Sequence, residues 1–443
     1  MAKPMSELTP SPEDEDDRSW QPRWLVLTPF LGKPPPLTRH QWRIIGLIAV
    51  VNIFDQYDLM LFSLALKQIQ AELAIPEAQL GDLGAIIRLG ALPAFVFAVL
   101  ADRIGRRQVL LMTIVAYTVL TGATAFAPNA ASFVVLQFLA RIFAVAEVML
   151  AYVVIAEELD PDARGWGAGA LAALGALGSG LALALFAAVD ILPMGWRSLY
   201  LIGLIPLALI AWLRRSLPET KRYVAQAGER SDSSILGSAL RPILDLIRMY
   251  PGRILMIGSV IFLLSFAENA ASFFGPKYLQ EEHGWAPYQY SILGVAGGFV
   301  GIFGGAFAGR LSDRYGRKKV ASIFLLAHPV LVLAFYQGFG WPLVPIWIAM
   351  LFSAIAGGVV LATYGNELFP TSYRSTASGA RTIIATLGGV LGLAAESVLY
   401  GIYQSHWTAI SLLVLVAFTA PLIVIIFFPE TSGRELEDIS PER

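Results

Sequence analysis

The sequence predicts an all-α integral membrane protein, with twelve transmembrane helices in two pseudo-symmetric six-helix bundles. Three observations carry that prediction. Of the 443 residues, 56% are hydrophobic and only 15% are charged, far from the roughly 25% charged of a soluble domain. Apolar runs of bridging length recur along the whole chain. Motifs at the ends of these runs return at a fixed offset of 211 residues.

A helix needs about 20 apolar residues to cross about 30 Å of hydrocarbon. Twelve stretches qualify, at approximately 43–66, 79–101, 107–126, 132–156, 166–188, 198–213, 254–274, 289–310, 318–338, 342–364, 376–400 and 406–428. None alternates in hydrophobicity as a membrane β-strand does, which leaves helices. Orientation follows from the 32 Lys and Arg residues. With the first residues inside, the opposite side receives only Lys67, Arg197 and Lys277. Arg88, Arg141 and Arg381 fall within spans, and all the others face the cytoplasm. Such a bias places both termini in the cytoplasm of an inner (plasma) membrane.

Asp102 in "ADRIGRRQVL" after the second run and Asp313 in "SDRYGRKKVA" after the eighth are 211 residues apart. Pro218 in "LPETKRY" and Pro429 in "FPETSGRELEDIS" share that offset. "EELDPDARG" and "ELFPTSYRS", after the fourth and tenth runs, nearly do. Two six-helix halves in the same orientation follow, a transporter architecture. The expected division is a cytoplasmic tail at 1–39, bundles at 40–216 and 253–430, a cytoplasmic linker at 217–252 and a short tail at 431–443. The first tail is acidic and Pro-rich, reads as loose, and lacks the pattern of a secretory signal.

These motifs resemble those of the major facilitator superfamily, whose signature loop is Asp-Arg-x-Gly-Arg-Arg/Lys. The two Pro-Glu-Thr segments are similar to those of its sugar-porter and metabolite– or aromatic-acid–proton symporter branches. The resemblance spans residues 40 to 435 or so and implies the major facilitator fold. It also implies a cytoplasmic gate built from Asp102, Arg103, Gly105, Arg106 and Arg107 in the first copy and Asp313, Arg314, Gly316 and Arg317 in the second. Glu157 or Glu158 with Arg164, and Glu367 with Arg374, look like its partners. Gly105 and Gly316 suit a tight turn that requires positive φ. The leading Gly of the motif is Ala98 in the first copy and is present as Gly309 in the second. The plainer reading is that these charges only set topology.

Small residues at three- and four-residue steps, Gly297, Gly298, Gly301, Gly304 and Gly305, then Gly175 and Gly178, then Gly388 and Gly392, let helices approach closely. The resemblance implies that the fifth and eighth spans face each other between the halves, so these faces are expected to line a sliding seam.

"NIFDQYDLMLF", residues 52–62, places two carboxylates in the first span. Asn52, Asp55, Gln56 and Ser63 share a helical stripe, with Asp58 at its flank. A charge at the bilayer centre costs on the order of 2.5–3.5 kcal/mol, so the stripe must face a cavity or a partner. Arg141 in the fourth span is an available partner, with Glu147 six residues on. In proton-coupled relatives such an Asp takes up the proton and such an Arg pairs with its charged form. A dry cavity favours the protonated form of a carboxyl, and a nearby guanidinium favours the charged form. Separating them therefore couples shape to proton uptake. Adding the repeat offset to Asp58 lands on Asn269, a permanent amide. Asp58 is the leading proton carrier, with Asp55 next. The alternative is a buried structural ion pair.

For the substrate, Arg88 and Arg381 are deep guanidiniums suited to a carboxylate. Gln56, Tyr57, Glu268, Asn269 and Tyr364 complete the candidate lining, with Phe266, Phe273 and Phe274 available to stack on a ring. A small organic anion is the first reading. Others are a sugar or polyol, and a cation or drug held by Glu147, Glu268 or Glu396 in an antiporter. His328, before Pro329, reads as structural. A solute-binding sensor is the rival class, though ends of about 40 and 13 residues offer little to signal with. An enzyme is not expected, because the chain has no Cys, no metal-ligand cluster and no phosphate loop. No cofactor, metal or nucleic acid is expected. The partners are the lipid bilayer, protons and the small substrate, and the state is monomeric.

Overall fold

The computed structural model describes residues 20–213, 243–338, 340–435 and 439–440, and among them there is no strand. Most of the expected 217–252 linker, Glu219 of the first Pro-Glu-Thr segment and parts of both tails lie outside the described residues. Helix α1 (Arg39–Leu64) is capped by Thr38, which accepts from the Gln41 amide while Gln41 accepts from Thr38. This capping box fixes where the span starts. A short α2 (Leu66–Leu73) continues it.

The second expected span is broken. It forms α3 (Leu80–Leu89) and α4 (Phe95–Ile104), joined by a tightened turn through 90–94 that contains Pro93. Proline cannot donate to the helical ladder, and the turn is held by three-residue bonds such as Ala91 to Arg88. Then come α5 (Arg106–Thr124), α6 (Ala130–Glu158), α7 (Pro161–Phe186) and α8 (Trp196–Leu213). The later set is α9 (Pro251–Glu281), α10 (Pro287–Tyr315), α11 (Arg317–Tyr336), α12 (Leu343–Glu367), α13 (Arg374–Tyr403), α14 (His406–Ala417) and α15 (Thr419–Phe427).

Among the described residues, nine helical stretches are long and apolar enough to cross a membrane, α14 and α15 counting as one. The other three expected spans correspond to the broken α3–α4, to α5 and to α8. The last two run 19 and 18 residues.

Packing sets α1 on α7 and α9 on α13, with α5 between α6 and α8, and α12 between α10 and α11. Gly178 allows the first approach, since a Cβ there would stand 1.8 Å from the Ile53 carbonyl. Gly392 does the same for α13, 2.0 Å from the Phe266 carbonyl. The glycines of α10 act differently from the sequence expectation. Gly297, Gly301, Gly304 and Gly305 seat Trp347, Leu351, Phe352, Ile355 and Val359 of α12, and only Gly294 meets Leu183 of α7. They tighten the later helix set internally rather than smoothing a seam between the two sets.

The two sets meet at one end of the molecule. Ser63 donates to the Phe273 carbonyl at 2.8 Å, Lys67 to Gln280 at 3.2 Å and Gln68 to Gln280 at 2.8 Å. Lys277 reaches Gln70 at 2.7 Å and Glu77 at 3.1 Å, and the Asp82 amide donates to Ser397 at 2.8 Å. That end is closed.

The described part of the first tail is not loose. Trp24 stands edge-on to Trp42 and Trp42 to Trp166, each at 5.6 Å, and the Trp166 indole donates to the Leu31 carbonyl at 3.0 Å. Packing two partly buried indoles against the buried Trp42 outweighs the polar composition that suggested a free segment.

Candidate functional site

A cavity of about 1210 Å³ lies between the two helix sets. Among the described residues, its charged lining is Asp58 from α1, Arg88 from α3 and Arg141 from α6. Gln137, Asn269, Ser63 and Ser272 add uncharged polar groups, and Phe62, Phe273, Tyr290 and Trp347 add rings. The turn after α3 brings the two arginines together. Gly90 lets that turn press against α6, where a Cβ would meet the Phe138 carbonyl at 2.6 Å and the Arg141 Cβ at 3.2 Å. Arg88 and Asn269 of α9 both stand at Gly389 of α13, where a Cβ would meet Arg88 Nε at 2.6 Å and Asn269 Nδ2 at 2.7 Å, and Arg141 is the like-charged neighbour of Arg88.

Asp58 is 8% exposed, with Tyr117, Thr121 and Arg141 as its polar neighbours. Asp58 Oδ1 and Arg141 Nε each lack a hydrogen-bond partner, so the pair faces across the wall without closing into a full ion pair. Asn269, the repeat counterpart of Asp58, occupies the opposite wall and donates to the Ser265 carbonyl at 2.6 Å.

Of the α1 stripe, Ser63 joins Asp58 on the cavity wall and the other members do not. Asn52 donates to the Leu171 carbonyl at 2.7 Å, and Gln56 lies over Gly175, both on α7. Asp55 is 1% exposed, beside Tyr117 and off the cavity wall.

Several expected lining residues are engaged elsewhere. Tyr57 donates to the Leu199 carbonyl of α8 at 2.7 Å, and Tyr364 to the Pro429 carbonyl at 3.2 Å, so both are packing residues. Arg381 lies against Gly365 and the Ala362 carbonyl of α12 rather than in the cavity. Glu147 turns to α5, where Thr113 donates to it at 2.6 Å. Glu268 bonds His328, and Glu396 bonds His406 at 2.6 Å. The three carboxylates that would have held a cation are thus absent from the cavity lining. His328 is the satisfied structural histidine expected, since its other nitrogen faces the Met350 carbonyl and Ser353.

Sequence reasoning missed Gln137, Tyr290 and Trp347. Their only signal was polarity or aromaticity inside an apolar run, which packing residues share.

At the opposite, motif-bearing end, Gly105 and Gly316 hold φ of 106° and 101°. Glu157 and Glu367 partner the loop arginines, and Asp313 pairs with Arg317. Arg106 meets Glu157 at 3.0 Å, and Arg317 meets Glu367 at 3.2 Å and Asp313 at 2.5 Å. Arg164 and Arg374 instead donate to the Leu159 carbonyl at 3.2 Å and the Asn366 carbonyl at 3.0 Å, capping their own turns. The Asp102 side chain lies outside the described residues. Arg103 and Arg107 flank the first turn, and Arg314 covers the Tyr315 ring at 5.4 Å. Glu430 of the second Pro-Glu-Thr segment accepts from the Arg317 amide at 2.8 Å and the Lys318 amide at 3.2 Å. A carboxylate at a helix N-terminus is the physical content of that motif.

The family model for the Major Facilitator Superfamily matches residues 48–393 and 257–442. The chain belongs to that superfamily; it is a multi-pass membrane transporter and not an enzyme. It is 25% identical over 422 residues to the putative niacin/nicotinamide transporter NiaP of Bacillus subtilis (strain 168), covering 92% of this chain and 100% of the relative. It is 24% identical to the 4-hydroxybenzoate transporter PcaK of Pseudomonas putida, covering 88% and 93%. Its fold is similar to the inward open xylose transporter XylE from E. coli, with a TM-score of 0.69 at 16% identity over 90% of this chain and 99% of that one.

Proposed function

We propose that this protein is a proton-coupled symporter of a small organic anion, specifically an aromatic or unsaturated carboxylate, working by alternating access. In this reading the chain makes twelve spans in two pseudo-symmetric halves, 40–216 and 253–430, and functions as a monomer. Both termini lie in the cytoplasm of an inner membrane. The closed end is then the outer one, and the present form faces inward.

The observation that carries the reading is the charge of the cavity wall, two guanidiniums against one carboxylate. The empty cavity is cationic by one unit with Asp58 ionised. Binding a monoanion together with one proton on Asp58 restores that same value. Loaded and empty forms therefore cross between states with equal cavity charge, and proton and anion move together without net charge. Arg88 and Arg141 receive the carboxylate by paired hydrogen bonds, and Phe62, Phe273, Tyr290 and Trp347 offer ring faces. A carboxylate held against Arg141 competes with Asp58 for its positive neighbour, which favours proton uptake by Asp58 at that step. The names of the niacin and 4-hydroxybenzoate transporters support the substrate class. At the motif-bearing end, Asp102, Arg106, Glu157, Asp313, Arg317 and Glu367 re-pair when that end closes.

The test is uptake of benzoate, nicotinate and a neutral sugar into proteoliposomes. An inward proton gradient is expected to drive accumulation of the carboxylates, and an imposed membrane potential alone to leave it unchanged. Sugar uptake without carboxylate uptake, or accumulation driven by potential alone, rejects the reading.

A further inference from the structure

At the closed end a second titratable site spans the two helix sets. His406 opens α14 and is 4% exposed. Its Nδ1 stands 2.6 Å from Glu396 Oε1 of α13, and its Nε2 stands 2.9 Å from Glu77 Oε2 in the segment before α3. Glu396 is fully buried, and Lys277, also fully buried, ties Glu77 to Glu281. The other groups facing the ring are Phe274 and Tyr400, stacked at 4.5 and 4.2 Å, and Trp407 at 5.9 Å. Tyr336 of α11 stacks on Trp407 at 6.0 Å, and Asp82 is the further carboxylate near Glu396.

Counting protons across these contacts gives a definite answer. Each nitrogen-to-carboxylate contact at this distance needs a hydrogen between two lone-pair atoms, and a neutral imidazole carries only one N–H. The arrangement therefore contains one proton more than a neutral ring with two carboxylates. Of the three groups, Glu396 and His406 belong to the later helix set, while Glu77 belongs to the earlier one. Parting this end removes Glu77 and leaves one contact, which a neutral imidazole satisfies. Gly81 marks the tightness of the joint, since a Cβ there would meet Glu396 Oε2 at 2.5 Å.

We propose that His406, Glu77 and Glu396 form a proton-binding site separate from Asp58, occupied when the outer end is closed and vacated when it opens. Outer-end closure takes up one proton, so acid outside holds the transporter inward-facing and alkali releases it. The proposal rests on the alternating-access reading above.

The chain has no cysteine, so a single reporter thiol can be read without background. Met60→Cys, on the cavity wall about one turn before Ser63, lies beneath the closed joint. In outward-oriented proteoliposomes, a membrane-impermeant thiol reagent added outside reaches it only when that end opens. The reporter protein is compared at each pH with the same reporter carrying His406→Gln, and separately carrying Glu77→Gln. Taking the ratio of labelling rates cancels the pH dependence of the thiol itself. The ratio of variant to reporter protein is expected to rise on acidification between about pH 8 and 5.5, by up to about tenfold per pH unit for a one-proton linkage, with both variants following one curve. Glu77→Gln alters a partly exposed loop residue and guards against a folding defect at His406. A ratio flat with pH, in protein that still takes up carboxylate, overturns the clasp alone. Absence of both uptake and outside labelling overturns alternating access and the clasp with it.

Discussion

The proposed cycle gives Asp58, Arg88 and Arg141 separable roles, so single substitutions distinguish them. Asp58→Asn keeps volume and polarity but cannot gain or lose a proton. It is expected to abolish gradient-driven accumulation while leaving exchange of labelled for unlabelled carboxylate. Accumulation against a gradient by this variant would remove Asp58 from the proton path. Arg88→Gln removes charge-assisted hydrogen bonds of about 1.5–3 kcal/mol, which is expected to raise KM for the carboxylate roughly 10- to 100-fold. An unchanged KM assigns the anion to Arg141 alone. The sequence made these residues legible because a charge in an apolar span is costly wherever it lies, and the repeat offset then singled out Asn269. Periodicity did not show which of the stripe's residues reach the cavity, as Gln56 does not, and aromaticity misled for Tyr57 and Tyr364. A helical stripe says which side chains point one way, but not whether a cavity or a neighbouring carbonyl stands there. Arg381 failed for a related reason, since depth along a span does not fix the direction in which a long side chain runs.

Helix packing shows the same division between what spacing reveals and what it hides. Small residues at three- and four-residue steps correctly marked close approaches, yet the partner of α10 is mainly α12, within the later set. Spacing is a property of one helix, whereas the choice of partner depends on the complementary bulk of Leu351, Phe352 and Ile355 elsewhere in the chain. The break between α3 and α4 was announced only by Pro93 in "GALPA", and it supplies the bend that brings Arg88 to Arg141. At Gly178, any side chain meets the Ile53 carbonyl. Gly178→Val is expected to lower stability by about 1–3 kcal/mol through overpacking, read as a drop in thermal unfolding temperature in detergent. An unchanged melting curve means that α1 and α7 separate more easily than their contact implies.

Across the whole molecule, each complete turn of the proposed cycle requires the joint at the closed end to part once. The charge of Glu77 at that joint is stable over the working range. Partial burial pushes the Glu77 carboxyl up, but bonds from His406 and Gln70 and the Lys277 ammonium outweigh this and hold it at about 2. A depressed pKa means that the stabilisation Glu77 lends to the closed end is fully present above its ordinary value near 4.3. It is lost only as pH falls through about 2. Glu77 thus remains a fixed anion between about pH 5.5 and 8, and the proton exchanged there belongs to the His406–Glu396 contact. Gln68 and Gln280 meet across the same joint, Nε2 to Oε1, at 2.8 Å. Replacing both with Cys and bridging them with a short reducible bifunctional thiol reagent should hold the end shut. Uptake is expected to fall to background and to return on reduction, while binding of the carboxylate from the opposite end persists, because the cavity and its arginines are untouched. The unbridged double variant controls for the substitutions themselves. Continued turnover by quantitatively bridged protein would show that substrate does not pass between α2 and α9, and alternating access by parting of this joint would have to be abandoned.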